Sequence, residues 1–175
     1  MSNAFNTPYL IHNAATKTKA YEELETSVRA LLTGETDAIA NLANVAALLY
    51  LTLPELNWVG FYRLAPESNE LVLGPFQGKP ACVRIAIGRA VCGTAAARRE
   101  SVLVKNVHEF PGHIVCDSAS NSEIVVPLIA TAGPRAGELV GVLDLDSPIL
   151  ERFDDIDLKG LEKIVAVLIS STVWH

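Results

Sequence analysis

All three cysteines of this 175-residue chain, Cys82, Cys92 and Cys116, fall between Ala81 and Glu123, together with two of its four histidines, His108 and His113. The end of that stretch, Val107–Glu123, reads VHEFPGHIVCDSASNSE. Pro, Gly, His, Cys, Asp and three Ser in so short a run mark a loop built for chemistry rather than packing. In it Cys116 is a candidate nucleophile, its thiolate favoured by His113 or by unpaired backbone N–H groups. Cys92 stands among Ala and Gly at a helix start, where it is either a small buried hydrophobe or a thiol activated by the helix N-terminus. In the run VGVLDLDS, Asp144 and Asp146 are two apart and so share one face of a strand. Two carboxylates there are costly unless paired or used, and close approach raises one pKa so that one acid stays protonated near neutral pH. The alternative is that both cap a turn before Ser147-Pro148. Glu123 starts the neighbouring strand and can join them. Trp58 and Tyr62 share a face of an earlier strand, as core or as a ligand wall. A metal set of His108, His113, Cys116 and Asp117 has the spacing H-x4-H-x2-C, which is not a common zinc pattern, so no metal is expected.

The elements that must carry these groups follow from hydrophobic period. Tyr21, Leu24, Val28, Leu31 and Leu32 predict a helix from Lys17 to Gly34. A second helix starts at a Thr36 or Asp37 cap, turns Ile39, Leu42, Ala43, Ala46, Leu49 and Tyr50 inward, and stops at Pro54. The period then falls to two. Asn57–Arg63 and Leu71–Gln77 read as a hairpin, with Trp58, Gly60 and Tyr62 on one face and Val59 and Phe61 on the other. Cys82–Ile87 is extended, Ala90–Arg99 a helix and Val102–Val104 a short strand. Ile124–Thr131 and Leu139–Leu145 are strands joined by a wide connection, AGPRAGE. Asp154 caps the last helix, with Asp157 in the capping-box position and Phe153 stapled to Leu158. Residues 1–16 read as an N-terminal extension and 17–175 as a single domain. The class is α+β, an antiparallel sheet of about six strands flanked by helices.

Composition narrows the function. Half of the residues are hydrophobic and 19% charged, which fits a globular core and excludes wholesale disorder. A net charge of −6 argues against nucleic acid or an anionic membrane as partner. No apolar run is long enough for a membrane span and the N-terminus has no secretory pattern, so a cytoplasmic, thiol-reducing setting is expected. Three cysteines do not make a disulfide scaffold. No glycine-rich phosphate loop supports nucleotide chemistry.

Five blocks in order resemble one family. They are NWVGFY at Asn57–Tyr62, GPFQGKPAC at Gly74–Cys82, GRAVCG at Gly88–Gly93, HIVCDSASNSEIVVPL at His113–Leu128 and GVLDLDS at Gly141–Ser147. With all three cysteines in place, they resemble free methionine-(R)-sulfoxide reductases, a family built on a GAF domain. The resemblance implies a GAF-like sheet and roles for single residues. Cys116 is implied as the nucleophile that attacks the sulfoxide sulfur and Cys82 as the resolving cysteine, with Cys92 an alternative resolver. Glu123, Asp144 and Asp146 are implied to bind and polarise the sulfoxide and hold the substrate amine. Trp58 and Tyr62 are implied as the aromatic wall around the methyl end. It also implies a thioredoxin-type reductant, no metal or organic cofactor, and a fold that commonly dimerises. Which of Cys82 and Cys92 resolves stays open at this point. The ATAGPRAGE connection departs from the family pattern, which bears on loop shape rather than catalysis. The rival classes are a GAF sensor module that binds a small molecule without turnover, and a thiol peroxidase.

Overall fold

The computed structural model describes residues 13–112 and 119–175. Helix α1 (Ala14–Leu31) starts ahead of Lys17 because Asn13 and Thr16 form a reciprocal cap. The Thr16 N–H donates to Asn13 Oδ1 at 3.0 Å and the Asn13 N–H to Thr16 Oγ1 at 3.1 Å. Helix α2 (Ala38–Thr52) is capped by Asp37, whose Oδ1 accepts the Ala40 N–H at 2.9 Å. Its inner face differs from the one expected. Leu42, Val45, Ala46, Leu48 and Leu49 are buried, while Ile39 and Tyr50 are exposed. The helix is apolar nearly all round, so its period carries little contrast and packing chooses the face.

The remaining elements are β1 (Trp58–Ala65), β2 (Glu70–Gly78), β3 (Arg84–Ala86), α3 (Ala90–Arg98), β4 (Val102–Val104), β5 (Ser122–Ile129), β6 (Leu139–Ser147) and α4 (Asp155–Ser171). The strands make one six-stranded sheet in the order β3-β2-β1-β6-β5-β4, every neighbouring pair antiparallel. This is the expected α+β architecture. Strand alternation divides the molecule into two cores. Val59, Phe61, Ile124, Val126, Leu143 and Leu145 pack with α1, α2 and α4 on one face. Trp58, Tyr62, Val125 and Val142 face the other way, toward α3 and Cys92. The second core is the smaller, and it holds Cys92.

The helical layer is fastened by a buried carboxylate. Asp154 and Asp157 form the expected capping box at the start of α4. Asp157 is fully buried, accepts the Tyr21 hydroxyl at 2.9 Å and Arg152 Nη1 at 3.2 Å, and pairs with Lys17. Arg152 also donates from Nε and Nη2 to the Pro54 carbonyl, each at 3.2 Å. One side chain thus joins α1, α4 and the turn that leads into β1. Removing it takes the shared carboxylate from two buried cations but leaves Lys17 paired with Asp154 at 2.9 Å and Arg152 with Glu55 at 3.6 Å, so the loss is about 2–3 kcal/mol. Asp157→Ala is expected to lower unfolding stability by that amount, read as a shift of the urea midpoint at unchanged slope. A loss below about 1 kcal/mol would mean the hub does not hold the layer.

Candidate active site

The register of β1, β6 and β5 sets out the site in rows. Trp58 pairs with Asp146, which pairs with Glu123; in the next row Gly60 pairs with Asp144, which pairs with Val125. Directly opposed side chains in an antiparallel ladder have Cβ atoms about 4.5–5.5 Å apart. Three carboxylates from two strands therefore project together on the face that α3 covers. Cys92, in the first turn of α3, comes down on them. Its approach depends on Gly93, where a Cβ would collide with the Ala86 carbonyl oxygen. The Gly88 N–H donates to the Gly93 carbonyl at 2.7 Å and locks that contact.

Cys92 Sγ lies 4.0 Å from Glu123 Oε1. One ligand atom from each of Cys92, Glu123 and Asp144 lies within 4.8 Å of the others, and all three residues are buried. Burial pushes the Glu123 carboxyl well above the usual range, and the Asp144 and Asp146 charges add to the rise. Burial also raises Asp144, from its ordinary 3.8 to about 7, with hydrogen bonds to Cys92 and Glu123 pulling the other way. Both carboxyls are thus raised, and they behave as a coupled pair that retains a proton near neutral pH. The Cys92 thiol is pushed up by burial first and by Asp144 and Glu123 second. The helix N-terminus that could have activated Cys92 is overridden, and Cys92 is a neutral thiol at neutral pH.

An aromatic shelf stands beside the acids. The Trp58 ring stacks on Tyr62 at a centroid distance of 5.9 Å and on Phe76 at 5.4 Å. Trp58 Nε1 donates to the Lys79 carbonyl and the Tyr62 hydroxyl to the Cys82 carbonyl, each at 3.1 Å. Burial first, then the Asp144 carboxylate, keeps the Tyr62 hydroxyl protonated and able to donate. The shelf thereby holds the segment from Lys79 to Cys82 against the site. Phe76 and Gly60 are contributors that residue type alone did not single out. They are register partners on β1 and β2, and a Cβ on Gly60 would collide with Phe76 Cβ and Trp58 Cη2. The strand alternation of β2 held the signal, but only pairing reveals it.

The cysteines stand in different states. Cys82 is disulfide-bonded and Cys92 is a free thiol. Cys116, His113 and Asp117 lie outside the described residues. The segment's two flanks are joined to each other and to the end of β6. The Val107 N–H donates to the Asn121 carbonyl at 3.0 Å and the Asn121 N–H to that of Ser147 at 2.8 Å. Asn121 Nδ2 donates to the Pro148 carbonyl at 2.7 Å, so its Oδ1 faces His108 Nε2, 2.8 Å away. Nε2 therefore carries the proton, and His108 clasps Asn121.

A helix-flanked antiparallel sheet with a thiol and buried acids under an aromatic shelf defines a GAF-type domain with a polar ligand site. The GAF domain family model matches residues 27–173. The free methionine-R-sulfoxide reductase of Escherichia coli K12 is 53% identical over 152 residues, covering 87% of this chain and 88% of the relative. The fRMsr of Staphylococcus aureus, solved in complex with substrate, is 48% identical with a TM-score of 0.79 over 86% of this chain and 94% of that one. The free methionine-R-sulfoxide reductase of Neisseria meningitidis, also solved with its substrate, is 43% identical with a TM-score of 0.84 over 93% and 95%. The chain belongs to the GAF-domain family and, within it, to the free methionine-R-sulfoxide reductases.

Two predictions follow from the geometry. In a Trp174→Phe background, where Trp58 is the sole indole, Gly60→Ala is expected to red-shift the emission as the ring is displaced toward water. An unchanged spectrum would mean the shelf does not depend on the missing Cβ. The acids predict a pH signature. A carboxyl raised in the folded state contributes stability that is full below its unfolded pKa, 3.8, and is lost as the pH climbs through about 7. Asp144→Asn, which mimics the neutral acid, should therefore gain on the wild type across that window, by on the order of 2–4 kcal/mol in urea unfolding. A difference that stays flat from pH 4 to pH 8, on the order of a few tenths of a kcal/mol, would contradict the raised pair.

Proposed function

We propose that this protein reduces free methionine-(R)-sulfoxide to methionine by thiol chemistry. The observation that carries the proposal is the buried Glu123–Asp144 carboxyl pair beside Cys92 and the Trp58–Tyr62 shelf. A sulfoxide oxygen leaves sulfur only when it is protonated or strongly hydrogen-bonded, and a neutral buried carboxylic acid supplies that proton. Asp144 and Asp146 are suited to the substrate ammonium, and Trp58 and Tyr62 to its methyl end. The substrate complexes of the Staphylococcus aureus and Neisseria meningitidis relatives support this choice of ligand.

The Cys116 thiolate attacks the sulfoxide sulfur, oxygen passes to the cysteine, and methionine and a sulfenic acid result. The Cys82 thiol condenses with that sulfenic acid to a disulfide and releases water. An external dithiol of thioredoxin type then exchanges with the disulfide and restores both thiols in a reducing compartment. Cys82 is disulfide-bonded while Cys92 is free, buried and held neutral, which favours Cys82 over Cys92 as the resolving thiol. Cys92 then acts on the acids, as a weak donor beside Asp144 and Glu123.

The direct test is dithiothreitol-driven turnover of three substrates, free methionine-(R)-sulfoxide, its S epimer and a sulfoxide-containing peptide. Methionine is expected from the free R epimer alone. Cys116→Ser should abolish turnover and Glu123→Gln should lower kcat by about 10²–10⁴-fold. Thioredoxin should support cycling of the wild type and not of Cys82→Ser. Turnover of none of the three substrates would leave a GAF module that binds without reacting.

A further inference from the structure

We propose that Cys92, Glu123 and Asp144 form a site for a thiolate-seeking divalent cation, with Zn²⁺ as the fitting metal. The three side chains offer one sulfur and two carboxylate oxygens whose ligand atoms lie within 4.8 Å of one another. A tetrahedral zinc with bonds of about 2.0–2.3 Å needs ligand atoms roughly 3.3–3.8 Å apart. The 4.0 Å between Cys92 Sγ and Glu123 Oε1 is a small rotamer adjustment from that. The set comes from three elements, α3, β5 and β6, which the sheet register and the Gly93 contact already hold together.

A second observation points to a ligand. Asp144 is 6% exposed, and among the described residues its Oδ1 accepts no hydrogen bond. A buried carboxylate oxygen without a donor is expensive in the empty state and is satisfied outright by a cation. The donor set selects the metal. One sulfur with two oxygens suits a borderline ion such as Zn²⁺, whereas Ca²⁺ and Mg²⁺ require shells of oxygen alone. Three protein ligands leave the fourth tetrahedral position open to water. As it binds, the cation displaces the Cys92 thiol proton and any proton held by the acid pair into solvent, with no change of oxidation state. Occupied in this way, the site excludes an ammonium group from Asp144. Zinc is thus an inhibitory ligand of the same acids, and its binding does not require the catalytic proposal to hold.

Cobalt(II) as a spectroscopic stand-in for zinc separates the outcomes. The protein is used with its Cys82 disulfide intact, so that Cys92 is the free thiol among the described residues. Titration with Co²⁺ should produce one equivalent of a near-ultraviolet thiolate-to-cobalt charge-transfer band together with tetrahedral d–d bands. Stoichiometric Zn²⁺ should bleach both. Cys92→Ser should lose the charge-transfer band, and Asp144→Asn, which keeps the thiol, should weaken cobalt binding at least tenfold with an unchanged far-ultraviolet spectrum. No band in the wild type overturns the site. A band that survives in Cys92→Ser, or an affinity unaltered in Asp144→Asn, places the metal elsewhere and overturns it equally.

Discussion

The structure depends on an expense at the middle of its sheet, where Glu123 and Asp144 are carried on β5 and β6 into a nearly water-free layer. Among the described residues, no lysine or arginine balances either of them. Isolated carboxylates in such a place revert to the acid form rather than remain charged. The strands that carry them tolerate this because their other faces are anchored. Ile124, Val126, Leu143 and Leu145 alternate with the acids and are buried against α1, α2 and α4. Each such side chain contributes about 1.5–3 kcal/mol when fully buried, enough in sum to hold an unfavourable pair in position. The large core keeps the small one open for chemistry.

Asp157 shows what the same chain does with a buried carboxylate that has only to hold the fold. It is surrounded by Lys17, Arg152 and the Tyr21 hydroxyl, and its negative charge is fully used. Glu123 and Asp144 have each other and a thiol instead. The Asp157 cluster stiffens the helical layer, while the Glu123–Asp144 pair keeps a proton within reach and a lone pair unspent. Departures from the satisfied pattern of this kind concentrate where a protein binds or reacts.

The site is also assembled from parts that are individually unremarkable in the chain. A tryptophan stacked on a phenylalanine, a glycine that clears space for both, and two hydroxyl or indole donors aimed at the Lys79–Cys82 backbone make one shelf. That shelf couples the aromatic rings to the segment bearing Cys82, so both are positioned by a common set of contacts. The clasp of His108, Asn121 and Pro148 does the same for the flanks of the segment bearing Cys116.

Much of this was present in the chain as written. Period and punctuation sufficed for the order of the elements, the faces of β1 and β6, and the Asp154–Asp157 box, because strand alternation and helix capping are local rules. The five motif blocks were enough to place the chain in its family. Other features needed the folded molecule. The apolar circumference of α2 left its inner face undetermined, and Ile39 and Tyr50 turned out exposed. The pairing of Gly60 with Phe76 depends on register, which no single strand encodes. The neutral state of Cys92 could not be read from its helix position, since the N-terminal dipole is worth only about 0.3–1 kcal/mol at exposed sites. Burial beside Glu123 and Asp144 outweighs it, and that burial exists only once β5, β6 and α3 meet.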